Sequence, residues 1–441
     1  MTIFKAMGWM NSGNAGLTSG EKSVANFDED SLTMAVSAGI DCVNGFERSD
    51  LQGVYFASTT LPYRERQNAG IISGALAMPD SVRTADFTGS LKAGTTALIS
   101  GLEAVAAKGM DNLLVCCADS RLGKAGSPQE MIFGDGAAAF LLSEQDVIAE
   151  YKGSFSLAYD FVDHYRGSQS RFDKQWEERW IRDIGFDRFI PESVNGLLKK
   201  YHLKLGDFAK VIYPCYSPAA RKELERKMGL NDPNKVQDPM LDKIGEMGAA
   251  QPLGMLVRAL EDAKPGDKIL VVSFGSGCDA LYFEVTEKIQ DLKKRKGISG
   301  SLANRVELES YEKYLAWRNI LAVDTGLRAE EDFWTRWSLI WRARKAILGF
   351  TGSKCKKCGT PQFPPQRICV NPKCGAVDQM EEYCFSTKTG KVFSYTGDNL
   401  APSIDPPTIY GHILFEGGWK VFDGFYGLQF RNNLCGDAGL F

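Results

Sequence analysis

Residues 263–277 read AKPGDKILVVSFGSG, a Pro-Gly-Asp turn followed by a β-branched, apolar run that ends in a glycine turn. Such a run, bounded by Gly and Pro, predicts a strand, and CDALYFEV after Gly277 predicts a second one. The same device stands earlier in the chain, where Phe133-Gly-Asp-Gly136 leads into AAAFLL. Both copies follow a comparable helix-and-strand run, which implies a unit of about 140 residues used twice. Helical-period segments alternate with short strands expected at 51–57, 112–117, 136–142, 209–213 and 268–273. The pattern predicts an α/β fold built as a duplicated domain with pseudo-twofold symmetry.

A chain of 441 residues exceeds one compact core. At 291–297 the sequence DLKKRKG turns strongly charged and a Gly/Ser segment follows, so the first domain is expected at 1–290. In the linker, 291–350, Tyr311, Tyr314 and Trp317, then Phe333, Trp337 and Trp341, recur at three- and four-residue spacing. They predict two amphipathic helices whose aromatic stripe is a docking face. A formal net charge of -3 supplies no field for nucleic acid or an anionic membrane surface. No apolar stretch reaches the ~18 residues of a membrane span and the N-terminus lacks a signal pattern, so a cytoplasmic protein is expected.

Residues 355–375 read CKKCGTPQFPPQRICVNPKCG. Cys355 and Cys358 form one pair, Cys369 and Cys374 a second, with ten residues between the pairs. Four thiolates on two knuckles, turned by Gly359 and Gly375, suit a tetrahedral zinc ion with no open position, hence a structural site. Cys42, Cys116, Cys117 and Cys278 lie in apolar contexts and are expected as core residues. The zinc ribbon is placed at 351–380. Alternating runs at 391–396, 408–415 and 419–425 between Gly, Pro and Asp turns predict a small antiparallel β-barrel, an OB-fold, over 381–441. Its acidic residues, without basic and aromatic interleaving, speak against a nucleic-acid role.

The first 290 residues resemble the hydroxymethylglutaryl-CoA synthase branch of the thiolase superfamily. Ala85-Asp86 followed by Lys92-Ala-Gly-Thr95, FGDGAAAFLL at 133–142 and the stretch 263–277 carry the resemblance. KCKKCGTPQFPPQRIC at 354–369 is similar to the zinc-ribbon/OB-fold family that accompanies thiolases and related aldolases. The two resemblances imply a five-layered αβαβα thiolase-like fold, coenzyme A thioesters as substrate or ligand, and a homodimer, alone or complexed with a thiolase. They also imply that the ribbon domain helps hold the CoA chain.

Three positions depart from the family. Its nucleophilic cysteine falls on Leu91, its general-base glutamate near Thr59 and its histidine near Pro214. Ser90 is the adjacent hydroxyl, read either as a nucleophile or as a helix cap. Tyr213, Cys215 and Tyr216 occupy the histidine's segment, and His164, in Asp163-His-Tyr-Arg166, lies within the α/β domain. The candidate catalytic set is therefore Ser90, Tyr213, Cys215 and His164. Losing the acyl-enzyme machinery leaves aldol or retro-aldol chemistry, which needs only a base and a stabilised enolate oxygen. The alternatives are a non-catalytic acyl-CoA scaffold of a thiolase and an acyltransferase using Ser90. Gly134, Gly136, Gly275 and Gly277 are expected to leave room for the pantetheine chain beside the helix that opens near Ser90.

Overall fold

A computed structural model describes residues 20–175, 177–308, 310–323, 335–401, 403–415 and 420–425. They fall into two compact units, Met1–Ile72 with Pro79–Tyr314, and Ser73–Met78 with Leu315–Phe441.

In the first unit the two copies of the repeat are visible as two four-stranded sheets. Copy one runs α1 (Ser31–Cys42), β1 (Gly53–Ala57), α2 (Asn68–Ala75), β2 (Arg83–Phe87), α3 (Ala93–Ala106), β3 (Asn112–Asp119), α4 (Pro128–Ile132) and β4 (Gly136–Ser143). Its sheet order is β2-β1-β3-β4, parallel except for β4. Copy two contributes β5 (Ala149–Ala158), the short pair β6 (His164–Tyr165) and β7 (Lys174–Gln175), α5 (Ile190–Tyr201), β8 (Lys210–Ile212), α6 (Pro218–Met228), α7 (Gln251–Glu261), β9 (Lys268–Phe274) and β10 (Gly277–Val285). Its sheet order is β5-β10-β9-β8, with β8 parallel to β9 and the Gly turn at 275–277 joining β9 to its antiparallel neighbour β10.

The fold layers follow from which faces are apolar. The central strands β3 and β9 are buried along nearly their whole length, as strands covered on both faces must be. On one face, Leu113 and Val115 meet Ala97 and Leu98 of α3, and Val271 and Leu281 meet Leu253 and Leu256 of α7, all in one core. On the far face of the second sheet, Val211, Leu270 and Val272 pack with Val194 and Leu197 of α5 and Leu224 of α6. With α1 against β3 and β4 on the far face of the first sheet, this is the five-layered αβαβα thiolase-like arrangement.

The first unit continues past residue 290. In α8 (Gly297–Ala303) Ile298 is buried and its amide donates to Glu261 at 2.7 Å, and the Tyr311 hydroxyl donates to buried Glu130 at 3.0 Å. The expected aromatic helices appear as α9 (Tyr311–Trp317), α10 (Trp337–Arg342) and α11 (Arg344–Gly349). Tyr311 and Tyr314 are buried and stacked, whereas Trp337 and Trp341 are exposed; Phe333 lies outside the described residues.

In the second unit β11 (Thr351–Cys355) pairs with both β12 (Pro361–Gln362) and β13 (Met380–Cys384). A meander of β14 (Gly390–Asp398), β15 (Thr408–Phe415) and β16 (Lys420–Phe425) follows. Phe385, Ile409, Ile413 and Phe415 form its core. The β-rich reading of this region holds, but the described residues form an open three-stranded sheet and no closed barrel. Residues 426–441, the end of the barrel expected over 381–441, lie outside them.

Candidate functional site

A cavity in the first unit encloses about 780 Å³ of free space including its mouth. Its wall is largely apolar: Leu91, Ile132, Phe133, Ile181, Phe186, Pro214, Leu241 and Phe274 all contribute. The polar groups in it are Arg121, Gln129, Asp163, His164, Asp173, Gln175, Tyr216, Glu246 and Gln251. Leu91 and Pro214, the positions matched above to the family's cysteine and histidine, both face this space.

His164 stands on the β6–β7 pair, directly across the ladder from Gln175. Its Nδ1 lies 2.8 Å from Asp163 Oδ2, and the Asp163 side chain is nearly buried. A carboxylate there selects the tautomer with the proton on Nδ1, which leaves Nε2 with its lone pair. Arg121, just past the end of β3, sits between two buried carboxylates: Nε donates to Asp173 at 2.6 Å and Nη1 to Glu246 at 2.5 Å. The guanidinium also lies 3.9 Å over the Phe133 ring. Burial pushes the Glu246 carboxyl above its ordinary range, against the pull of Arg121.

The two glycine turns brace this wall. Gly134 N–H donates to the Glu246 carbonyl at 3.0 Å and Glu246 N–H to the Ile132 carbonyl at 2.7 Å, so the first turn fixes Glu246. At the second turn the Ser90 hydroxyl donates to the Gly275 carbonyl at 2.6 Å, which fixes the segment carrying Leu91.

These contacts correct several expectations. None of Gly134, Gly136, Gly275 and Gly277 lies in the cavity wall. A Cβ at each would meet this chain's own atoms: Ile244 carbonyl, Met247 sulfur, the Ser90 hydroxyl with Leu91 amide, and Leu157 carbonyl, respectively. At these four positions the missing Cβ lets the chain's own backbone and side chains pack close. Ser90 is also outside the wall, and its proton goes to Gly275 with no side-chain base beside it among the described residues. Tyr213 is buried away from the cavity, its hydroxyl donating to Glu225 at 2.8 Å, and burial together with Glu225 raises its pKa. Cys215 lines the cavity, but burial pushes its thiol up to about 12, so it is no thiolate near neutral pH. Thr59 cages the buried Asp119: its amide donates at 2.7 Å and its hydroxyl at 2.9 Å. Of the four catalytic candidates, His164 alone combines a titratable edge with an orienting partner in the wall.

Arg121, Asp173 and Glu246 were missed by sequence reasoning. Arg121 and Glu246 sit just beyond the end of β3 and between two turn glycines, Gly245 and Gly248, and residues just past strand ends are the usual site-builders of α/β sheets. That signal becomes usable only once the strand order is known.

In the second unit Cys355, Cys358, Cys369 and Cys374 place their sulfur atoms within 4.8 Å of one another. Cys355 to Cys374 is 3.9 Å and Cys358 to Cys369 is 3.5 Å. Tetrahedral zinc with Zn–S of about 2.3 Å asks for S···S of about 3.8 Å, so the donor set fits the ion. Gly359 and Gly375 turn the knuckles at φ of +74° and +53°, which the absence of a Cβ makes possible. No helix among the described residues is long and apolar enough to cross a membrane.

Residues 343–381 match the family described as ChsH2, rubredoxin-like zinc ribbon domain. By fold, the first unit resembles condensing enzymes of the thiolase type. A crystal structure of an HMG-CoA synthase complexed with CoA superposes with a TM-score of 0.60 at 17% identity, covering 68% of this chain and 81% of that one. The HMG synthase of the curacin biosynthetic pathway, in complex with an acetyl donor-ACP, gives 0.62 at 17% identity over 74% and 88%. In sequence, the hydroxymethylglutaryl-CoA synthase of Methanopyrus kandleri is 30% identical over 286 residues, 64% of this chain and 81% of the relative. That of Caldivirga maquilingensis is 30% identical over 313 residues, 69% and 88%. The chain belongs to the hydroxymethylglutaryl-CoA synthase family and carries a ChsH2-type zinc ribbon fused behind that domain.

Proposed function

We propose that this protein makes or breaks a carbon–carbon bond in a coenzyme A thioester by aldol or retro-aldol chemistry, with no covalent acyl-enzyme. The observation that carries the reading is the cavity: Leu91 and Pro214 offer it no nucleophile and no base, while the Asp163–His164 pair stands in the same wall. In the cleavage direction His164 Nε2 takes the proton of the β-hydroxyl. The Cβ–O bond becomes a carbonyl as the Cα–Cβ bond breaks, and the electron pair moves to the thioester oxygen as an enolate. The proton held by His164 then returns to Cα. Asp163 stabilises the imidazolium in between. The CoA-bound family relative supports the thioester as ligand. A cytoplasmic homodimer, alone or complexed with a thiolase, belongs to the same reading.

The test is incubation of the intact protein with 3-hydroxyacyl-CoA thioesters, followed by mass spectrometry of products and protein. The expected result is a shorter acyl-CoA plus a carbonyl product, an unmodified protein mass, and a rate lowered about 10²–10⁴-fold by His164→Ala. An acyl adduct on the protein would favour the Ser90 acyltransferase instead. Binding without turnover would favour the scaffold.

A further inference from the structure

Along one side of the cavity, three wall residues form a chain of hydrogen bonds. Gln129 Nε2 donates to Gln175 Oε1 at 2.9 Å, and Gln175 Nε2 donates to the hydroxyl oxygen of Tyr216. A phenol carries one proton. With its oxygen accepting from Gln175, that proton finds no acceptor among the described residues and is left for whatever occupies the cavity. Burial raises the pKa of Tyr216, so the group is a phenol and a donor. The ring is held edge-on to Phe186, 5.5 Å between centroids at 75°. Gln175 is at the same time the ladder partner of His164. One short strand pair therefore sets both the imidazole and the direction of the tyrosine proton.

We propose that Tyr216 is a catalytic residue that donates its hydrogen bond to the thioester oxygen of the substrate and stabilises the enolate form. The assignment rests on the reading of the site given above. The step it serves is balanced without a further reactant. His164 removes a proton from Cα of an acyl-CoA, the C–H electron pair moves through the new C=C bond to the thioester oxygen, and Tyr216 holds that oxygen while keeping its own proton. Return of a proton from His164 to Cα restores the thioester.

Acetyl-CoA in D₂O isolates this step, because each turnover replaces a methyl proton by deuterium, read by mass spectrometry. The unsubstituted protein is expected to exchange, and His164→Ala to abolish exchange. Tyr216→Phe should lower the rate about 10²–10³-fold, the usual cost of removing one oxyanion donor. Affinity for acetyl-CoA should change less than about threefold, since the bond strengthens only in the enolate. Gln175→Glu should act like Tyr216→Phe, because a carboxylate only accepts and draws the phenol proton onto itself; a thermal melt checks that both variants fold. Exchange in Tyr216→Phe equal to that of the parent overturns the assignment and leaves the His164 chemistry standing. Full exchange in Gln175→Glu overturns the relay. No exchange in the parent protein overturns the enolate reading and the tyrosine assignment together.

Discussion

The zinc ribbon and the cavity gather their reactive groups in opposite ways. All four thiols come from the single stretch 355–374, held by two tight turns and a small sheet. The cavity instead takes Arg121 from beyond β3, His164 from a short strand pair with Asp163 just before it, Tyr216 from beyond β8 and Glu246 from a loop before α7. The ribbon site is specified by local spacing and tightened by an ion. The cavity is specified by long-range packing, with charge pairs buried inside it. The two should therefore fail under different insults.

The largest difference is expected on removing the metal. In small ribbons the apparent zinc-binding free energy, about 10–16 kcal/mol, is also folding free energy. Stripping zinc, or making Cys369→Ser, should unfold the ribbon while the first unit keeps its own thermal transition. One zinc per chain by elemental analysis, and ribbon-specific proteolysis after chelation, check this. A ribbon that stays protease-resistant without metal would break the contrast.

Arg121→Met is the converse experiment. It leaves the buried Glu246 without its ion-pair partner and Asp173 with only Arg166, 3.6 Å away, at a cost of about 3–5 kcal/mol in the first unit. Denaturant unfolding should show that loss with zinc content unchanged. A shift below about 1 kcal/mol would mean that water reaches the pair and that it behaves as an exposed ion pair.

An effect confined to alkaline pH concerns Cys215, whose thiol is raised from 9.0 to about 12 by burial. Above pH 9 the unfolded chain releases this proton while the folded chain keeps it. Stability is thus fully retained below pH 9 and falls as pH rises toward 12, by at most about 1.4 kcal/mol per pH unit. Cys215→Ala should flatten that part of the pH–stability curve, and the folded protein should resist iodoacetamide at this position at pH 8. Rapid alkylation there would place the thiol in open solvent.

Much of this was legible in the sequence, for reasons specific to each element. The Phe-Gly-x-Gly turns at 133–136 and 275–277 marked the duplicated unit because a glycine is needed wherever two backbones approach this closely. The same turns misled about function. Sparing a side chain looked like room for a ligand, whereas Ile244 and Leu157 fill that room, and nothing local to either turn announces a neighbour a hundred residues away. His164 was a candidate by residue type alone. Its pairing with Asp163, its place opposite Gln175 and the direction of the Tyr216 proton came from the fold.

By itself, the sequence determined what depends on short spacing: the four zinc ligands, the strand and helix periods and the repeat. Tertiary structure alone decided which of the remaining polar residues share a cavity. Arg121 and Glu246 are 125 positions apart along the chain, yet they stand 2.5 Å apart. Burying those charges is tolerable only where each finds its counter-charge, and that juxtaposition exists only once the two sheets have closed over the helices between them.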